Sequence, residues 1–121
     1  MAQILITLKV NPSEETVISE ETVEMSFGDH DWDRRRTSIS NTFDCKGLTF
    51  VEFPPGYTDR DRVLDCPRIV FCLAGQMKLE VPSGDFRILQ AGDVLKVYLP
   101  EPPDFSLSIV GKDRFRCAVA M

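Results

Sequence analysis

Residues 75–97, GQMKLEVPSGDFRILQAGDVLKV, constrain the fold more than any other stretch of the chain. Met77, Leu79 and Val81 alternate with polar residues up to the turn Pro82-Ser83-Gly84-Asp85. The chain returns through Phe86, Ile88 and Leu89, turns again at Ala91-Gly92-Asp93, and leaves as Val94-Leu95-Lys96-Val97. Two strand–turn units, each turn with Gly beside Asp, predict a tight antiparallel meander.

The flanking sequence supplies more strands. Residues 3–10 alternate Ile4, Ile6, Leu8 and Val10 with polar or small residues, a period of two that predicts a strand. A near-repeat follows, SEETV at Ser13–Val17 and again at Ser19–Val23. Its six-residue spacing is too short for a solenoid unit, so it reads as an acidic, solvated connection, with strand pairing at its end or a helical turn at Asn11-Pro12-Ser13 as options. Residues 27–36 are polar and turn-rich, and Leu48–Phe53 predicts a strand stopped by Pro54-Pro55-Gly56. A charged segment, Asp59 to Arg62, precedes the apolar strand Ile69–Leu73. Phe105–Val110 and Phe115–Ala120 close the chain as two strands joined at Gly111-Lys112-Asp113. Eight to ten short strands at this spacing, without a long helix, predict an all-β sandwich or barrel.

At 121 residues the chain is long enough for one core and one domain. Its net charge of −5 disfavours nucleic acid and anionic membranes as partners, and the run Arg34-Arg35-Arg36 is offset by Asp29, Asp31 and Asp33. No apolar run reaches the length of a membrane helix, and residues 1–6 lack the basic start of a signal peptide, so the expectation is a cytoplasmic protein. Cys45, Cys66, Cys72 and Cys117 form no C-x-x-C pair and are read as reduced, structural thiols.

From about Leu48 to Ala120 the sequence resembles a small single-domain cupin, a jelly-roll barrel also described as a double-stranded β-helix. Cupins carry a motif of Gly, five residues, His-x-His, three or four residues, Glu, six residues, Gly. Here Gly56 is followed by five residues, Arg62-Val63-Leu64, three residues, Arg68, six residues and Gly75. The spacing is kept and the metal ligands are replaced. A second, looser motif begins at Gly92-Asp93 and runs into the proline-rich turn Pro100 to Pro103, so the family's last His falls at Asp104 or its neighbours Pro103 and Phe105, with Asp104 favoured because the family's Pro-His pair lines up with Pro103-Asp104. The resemblance implies one cupin barrel over residues 1–121, with residues 1–45 as N-terminal strands and polar loop and residues 48–120 as barrel core.

Arginine has no lone pair to offer a metal and stays charged at any physiological pH. With His30 as the one histidine, a His-rich iron, manganese or nickel site is excluded by count, and neither a metal nor another cofactor is expected. If the barrel alternation holds, Arg62 and Arg68 project inward with Val70 and Cys72, and buried arginines call for an acidic neighbour, Glu52 or Asp104, or for an anionic ligand. Arginine grips a carboxylate or phosphate through two parallel hydrogen bonds. The expectation is therefore a metal-independent pocket for a small anionic or polar metabolite, with Arg62, Arg68, Tyr57, Tyr98 and Cys72 as candidate ligand contacts. Internal salt bridges are the bland reading of the same arginines. Whether the protein also catalyses proton transfer (isomerase, cyclase or lyase type) is open, with Glu52, Asp104 and His30 as candidate acid–base groups. Two alternatives stand beside this reading: a metal-dependent, oxygenase-like enzyme using carboxylates (Glu52, Asp59, Asp104) and His30, and a non-enzymatic homodimer. For the dimer, Ile4, Ile6 and Leu8 form the candidate swapped or edge-pairing strand.

Overall fold

The computed structural model describes residues 3–27, 38–62, 67–98 and 104–121, without the side chains of residues 60–62. His30, the Arg34–Arg36 run and Cys66 lie outside the described residues. The elements are β1 (Gln3–Val10), β2 (Thr16–Val23), β3 (Ser26–Phe27), β4 (Ser38–Ile39), β5 (Leu48–Phe53) and β6 (Thr58–Arg62). They continue as β7 (Arg68–Ala74), β8 (Gln76–Glu80), β9 (Phe86–Gln90), β10 (Val94–Val97), β11 (Phe105–Val110) and β12 (Phe115–Ala120). A six-stranded sheet in the order β2-β1-β10-β7-β12-β5 faces a four-stranded sheet in the order β6-β11-β8-β9, and β3 and β4 pair separately. No described helix is long and apolar enough to cross a membrane.

The predicted meander is only half a meander. β8 and β9 pair antiparallel around the Pro82–Asp85 turn, with Met77 opposite Leu89 and Leu79 opposite Arg87. Strand β10 then leaves β9 and enters the other sheet, antiparallel to β7 and parallel to β1. The turn makes that hand-over: Cys72 N–H donates to the Asp93 carbonyl at 2.9 Å, and Gly92 N–H donates to the Cys72 carbonyl at 3.0 Å. The Asp93 side chain closes the turn by accepting from Gln90 N–H at 2.9 Å. Local alternation could not show this, because a tight turn is compatible with pairing or with crossing between layers.

Gly75 sits where the chain passes from one sheet to the other. Its φ is +80°, and a β-carbon there would collide with the Arg114 carbonyl oxygen and lie 2.9 Å from Phe115 Cα. Only glycine satisfies both the backbone angle and the close approach.

The acidic near-repeat from Thr16 on, read as a connection with strand pairing at its end as one option, and the charged segment Asp59 to Arg62 both lie in strands. Thr16–Val23 is the edge strand of the large sheet, paired with β1 along its whole length. Thr16 and Ile18 point inward and are buried, while Glu20 is exposed, and charges are tolerated on an edge. The Asn11 side chain closes the preceding turn by accepting from Ser13 and Glu15 N–H, both at 2.9 Å, so no helical turn is needed. Likewise Thr58–Arg62 forms β6, paired with β11. Edge pairing through the N-terminal strand is corrected too: β1 is flanked on both sides by β2 and β10 and exposes no edge.

The core lies between the sheets, where Leu8, Leu79, Leu89 and Phe115 are fully buried. Apolar surface remains on the outer face of the large sheet. One row runs Phe50, Ala118, Phe71, Val94 across β5, β12, β7 and β10. Phe50 is 73% exposed and Leu48 beside it 57%.

Candidate functional site

A partly open cavity of about 100 Å³ lies between the sheets. Strands of both sheets line it: Val51 and Phe53 from β5, Val70 from β7, Leu95 and Val97 from β10, and Cys117 and Val119 from β12. The small sheet contributes Met77, Phe105 and Leu107. The pattern follows from period-two alternation, since Cys117 and Val119 share the inward face of β12 with Phe115. Among the described residues, one charged side chain joins this wall, Arg68.

Arg68 is the first residue of β7 and lies opposite Val97, the last residue of β10. Its side chain is half-buried, and its Nε is fully enclosed. The first residue of β11, Phe105, belongs to the same cavity and is the backbone partner of Arg62. The motif-like spacing between the two arginines therefore brings their backbones to strand ends that border one cavity, while the Arg62 side chain is outside the described residues.

The other candidates are placed elsewhere. Cys72 is buried in the core across from Cys117, nearer the Gly75 end, and does not line the cavity; Cys117 does. Burial, with the Asp93 carboxylate and Cys117 adding to it, pushes the Cys72 thiol up to about 12, and burial raises Cys117 as well. Both are therefore neutral thiols and poor nucleophiles. Tyr57 packs against Phe53 with tilted rings at 5.0 Å between centroids, donates to Asp59 Oδ2 at 3.4 Å, and is not among the described lining residues. Tyr98 does not reach the interior at all. Its hydroxyl donates to the Glu21 carboxylate at 2.7 Å, and Lys96 lies 4.5 Å from its ring centroid. Burial and the Glu21 carboxylate push its phenol up to about 12.

Glu52 is the clearest departure from expectation. It was expected to balance the inward arginines, but its carboxylate is exposed and bridges Arg114 at 2.8 Å and Arg116 at 2.9 Å. The hydrogen bond from Arg116 is the main reason its carboxyl is held below the usual range. The cause is register parity: Glu52 is the direct partner of Arg116 on the outward face, while its neighbours Val51 and Phe53 face the cavity. Asp104 is exposed and stands outside the cavity lining, with its N–H donating to Thr16 Oγ1 at 3.1 Å.

Among the described residues, no three His, Cys, Asp or Glu side chains are grouped so as to hold a metal ion. The cavity offers a guanidinium, a thiol, a thioether and hydrocarbon, a donor set that does not fit a first-row metal bound through imidazole and carboxylate. Sequence reasoning missed Cys117, Val119, Leu95 and Met77 as wall residues. The only available signal was alternation, which puts each on one face of a strand without saying which face closes over the cavity.

Two facing sheets around an apolar interior entered by an arginine define the class: this chain has the cupin fold, without the family's usual metal ligands at Arg62, Leu64 and Arg68. Neither a protein-family model nor a curated protein matches it in sequence. Solved structures match it in fold. A cupin-like protein from Thermotoga maritima superposes with a TM-score of 0.51 at 18% identity, over 60% of this chain and 53% of that one, so the chain spans about half its length. The cupin domain of Drosophila melanogaster CENP-C gives 0.51 at 13% identity, over 69% and 67% of the two chains. ToxT from Vibrio cholerae, in its unsaturated fatty acid-bound structure, gives 0.55 at 14% identity, over 66% of this chain and 31% of ToxT.

Proposed function

We propose that this protein is a metal-independent cupin-fold binding domain that holds a small organic anion between its two sheets, with Arg68 gripping the anionic group and Arg62 as second cation. The observation that carries the reading is the placement of Arg68 as the charged side chain in an otherwise apolar cavity wall. A guanidinium carries five N–H donors, more than one neighbouring carboxylate takes up, so it can hold a ligand as well as a partner within the chain. Glu52 and Asp104 stand off the cavity wall, which favours holding the ligand over acid–base turnover.

Thermal unfolding with a panel of small carboxylates and phosphates tests this. A ligand at a hundred times its Kd adds about 2.7 kcal/mol, or about 10 °C for a chain of this length. Arg68→Met abolishes the shift, and Arg68→Lys, which keeps the charge and loses the fork, retains a smaller one. Equal shifts in wild type and Arg68→Met would remove the proposal.

A second reading, association into a homodimer, is favoured by the exposed row of Phe50, Phe71 and Leu48 on the large sheet. Phe50→Glu with Phe71→Glu then yields a folded monomer by sedimentation; an unchanged mass sinks this reading.

A further inference from the structure

We infer that the ligand of the cavity is a short aliphatic monocarboxylate of four or five carbons, straight or branched and without a second polar group. The inference rests on the anion-binding reading of Arg68 and names the class of molecule that fits behind it.

Three observations carry it. The first is size. About 100 Å³ is enclosed in this partly open cavity, and an apolar cavity of about 150 Å³ takes the six carbons of benzene, so about four carbons fill the hole. The second is chemistry. Behind Arg68 the wall is made by Val70, Met77, Leu95, Leu107 and Val119, side chains with no strong hydrogen-bonding group. Cys117 adds a thiol, a weak donor held neutral by burial. A hydroxyl, amide or second carboxylate pushed against that wall would lose its water and gain no partner. The third is polarity of placement: Arg68, the cation among the described lining residues, stands where β7 begins and β10 ends, so an anionic head there leaves the body of the molecule to run inward along β7 and β10. Sugars, hydroxy acids and dicarboxylates fail on chemistry, inorganic phosphate fails for want of an apolar body to fill the wall, and long-chain fatty acids exceed the enclosed volume.

Each methylene buried in such a wall strengthens binding about fourfold. Calorimetric titration of the purified chain with acetate, propionate, butyrate, valerate, isovalerate, hexanoate and octanoate should therefore show affinity rising about fourfold per carbon. It should peak at four or five carbons and fall at least tenfold by octanoate. Succinate, 3-hydroxybutyrate and butanamide should each bind at least tenfold more weakly than butyrate. Val119→Ile, which adds one carbon to the wall and leaves Arg68 alone, should move the optimum one carbon shorter.

The outcomes separate the two levels of argument. Affinity independent of chain length, or rising steadily through octanoate, overturns the inference while loss of binding in Arg68→Met still upholds an anion site. A dicarboxylate binding as well as butyrate does the same. Binding of all acids equally by wild type and Arg68→Met removes both. An optimum that Val119→Ile does not move places the ligand outside this cavity and overturns the inference even if the arginine variant cannot be purified.

Discussion

Substituting Val119 by Ile probes the cavity without any ligand. Val119 is 8% exposed, lies mid-strand in β12 and contributes to the wall. Isoleucine keeps the β-branch and the strand preference, so the change reduces to one methylene added where there is empty space. In the unfolded chain that methylene is in water; in the folded chain it is enclosed, a gain of about 0.8 kcal/mol, rising to about 1 kcal/mol with recovered dispersion contacts. Unfolding entropy near 2.1 cal/mol/K per residue over this length converts 1 kcal/mol into about 4 °C. The control is Leu79→Phe, at a fully buried position outside the cavity wall, where overpacking costs about 1–3 kcal/mol. Urea and thermal denaturation followed by circular dichroism should thus give opposite signs for the two enlargements. The reasoning is refuted if Val119→Ile destabilises the protein as Leu79→Phe does, because the space beside Val119 would then not be available in solution.

Gly75→Ala should cost about 3 kcal/mol or more, since the new β-carbon meets the Arg114 backbone as well as an unfavourable φ, whereas Gly84→Ala, with φ +96° and open space around it, should cost about 1 kcal/mol. Equal losses in urea titrations would show that the close approach is unimportant. With iodoacetamide at pH 8, site-resolved mass spectrometry should find Cys45, which is exposed, labelled quickly, and Cys72 and Cys117 labelled only at the rate of unfolding; rapid labelling of Cys72 in the folded protein counts against its burial. The Tyr98 phenol has a folded pKa raised from 10 to about 12, so its contribution is complete below pH 10 and is lost as pH rises toward 12. Tyr98→Phe should accordingly flatten the fall in stability over that window by about 1 kcal/mol after allowance for solvent screening; parallel curves for the two proteins would contradict the link to Glu21.

Much of the architecture could be read from local pattern. Alternation over residues 3–10, 48–53, 76–80, 105–110 and 115–120 marked strands, and Gly84 and Gly92 adopt the positive φ their turns need. The spacing from Gly56 through Arg62 and Arg68 to Gly75 pointed to a cupin barrel, and the chain has that fold. These features are legible because turns and strand periodicity depend on neighbours a few residues apart. Partners far along the chain decided the rest. β10 joins β7 and β1 instead of β9; Cys117 and not Cys72 borders the cavity; Glu52 turns outward to Arg114 and Arg116; Tyr98 caps Glu21 on the far side of the sheet. On β7 both faces are apolar, Ile69, Phe71 and Leu73 on one side and Val70 and Cys72 on the other, so alternation alone cannot choose which lies inside. The opposing sheet makes that choice, by offering Met77 and Leu107 to one face and nothing to the other, and a one-residue shift in register would have exchanged them.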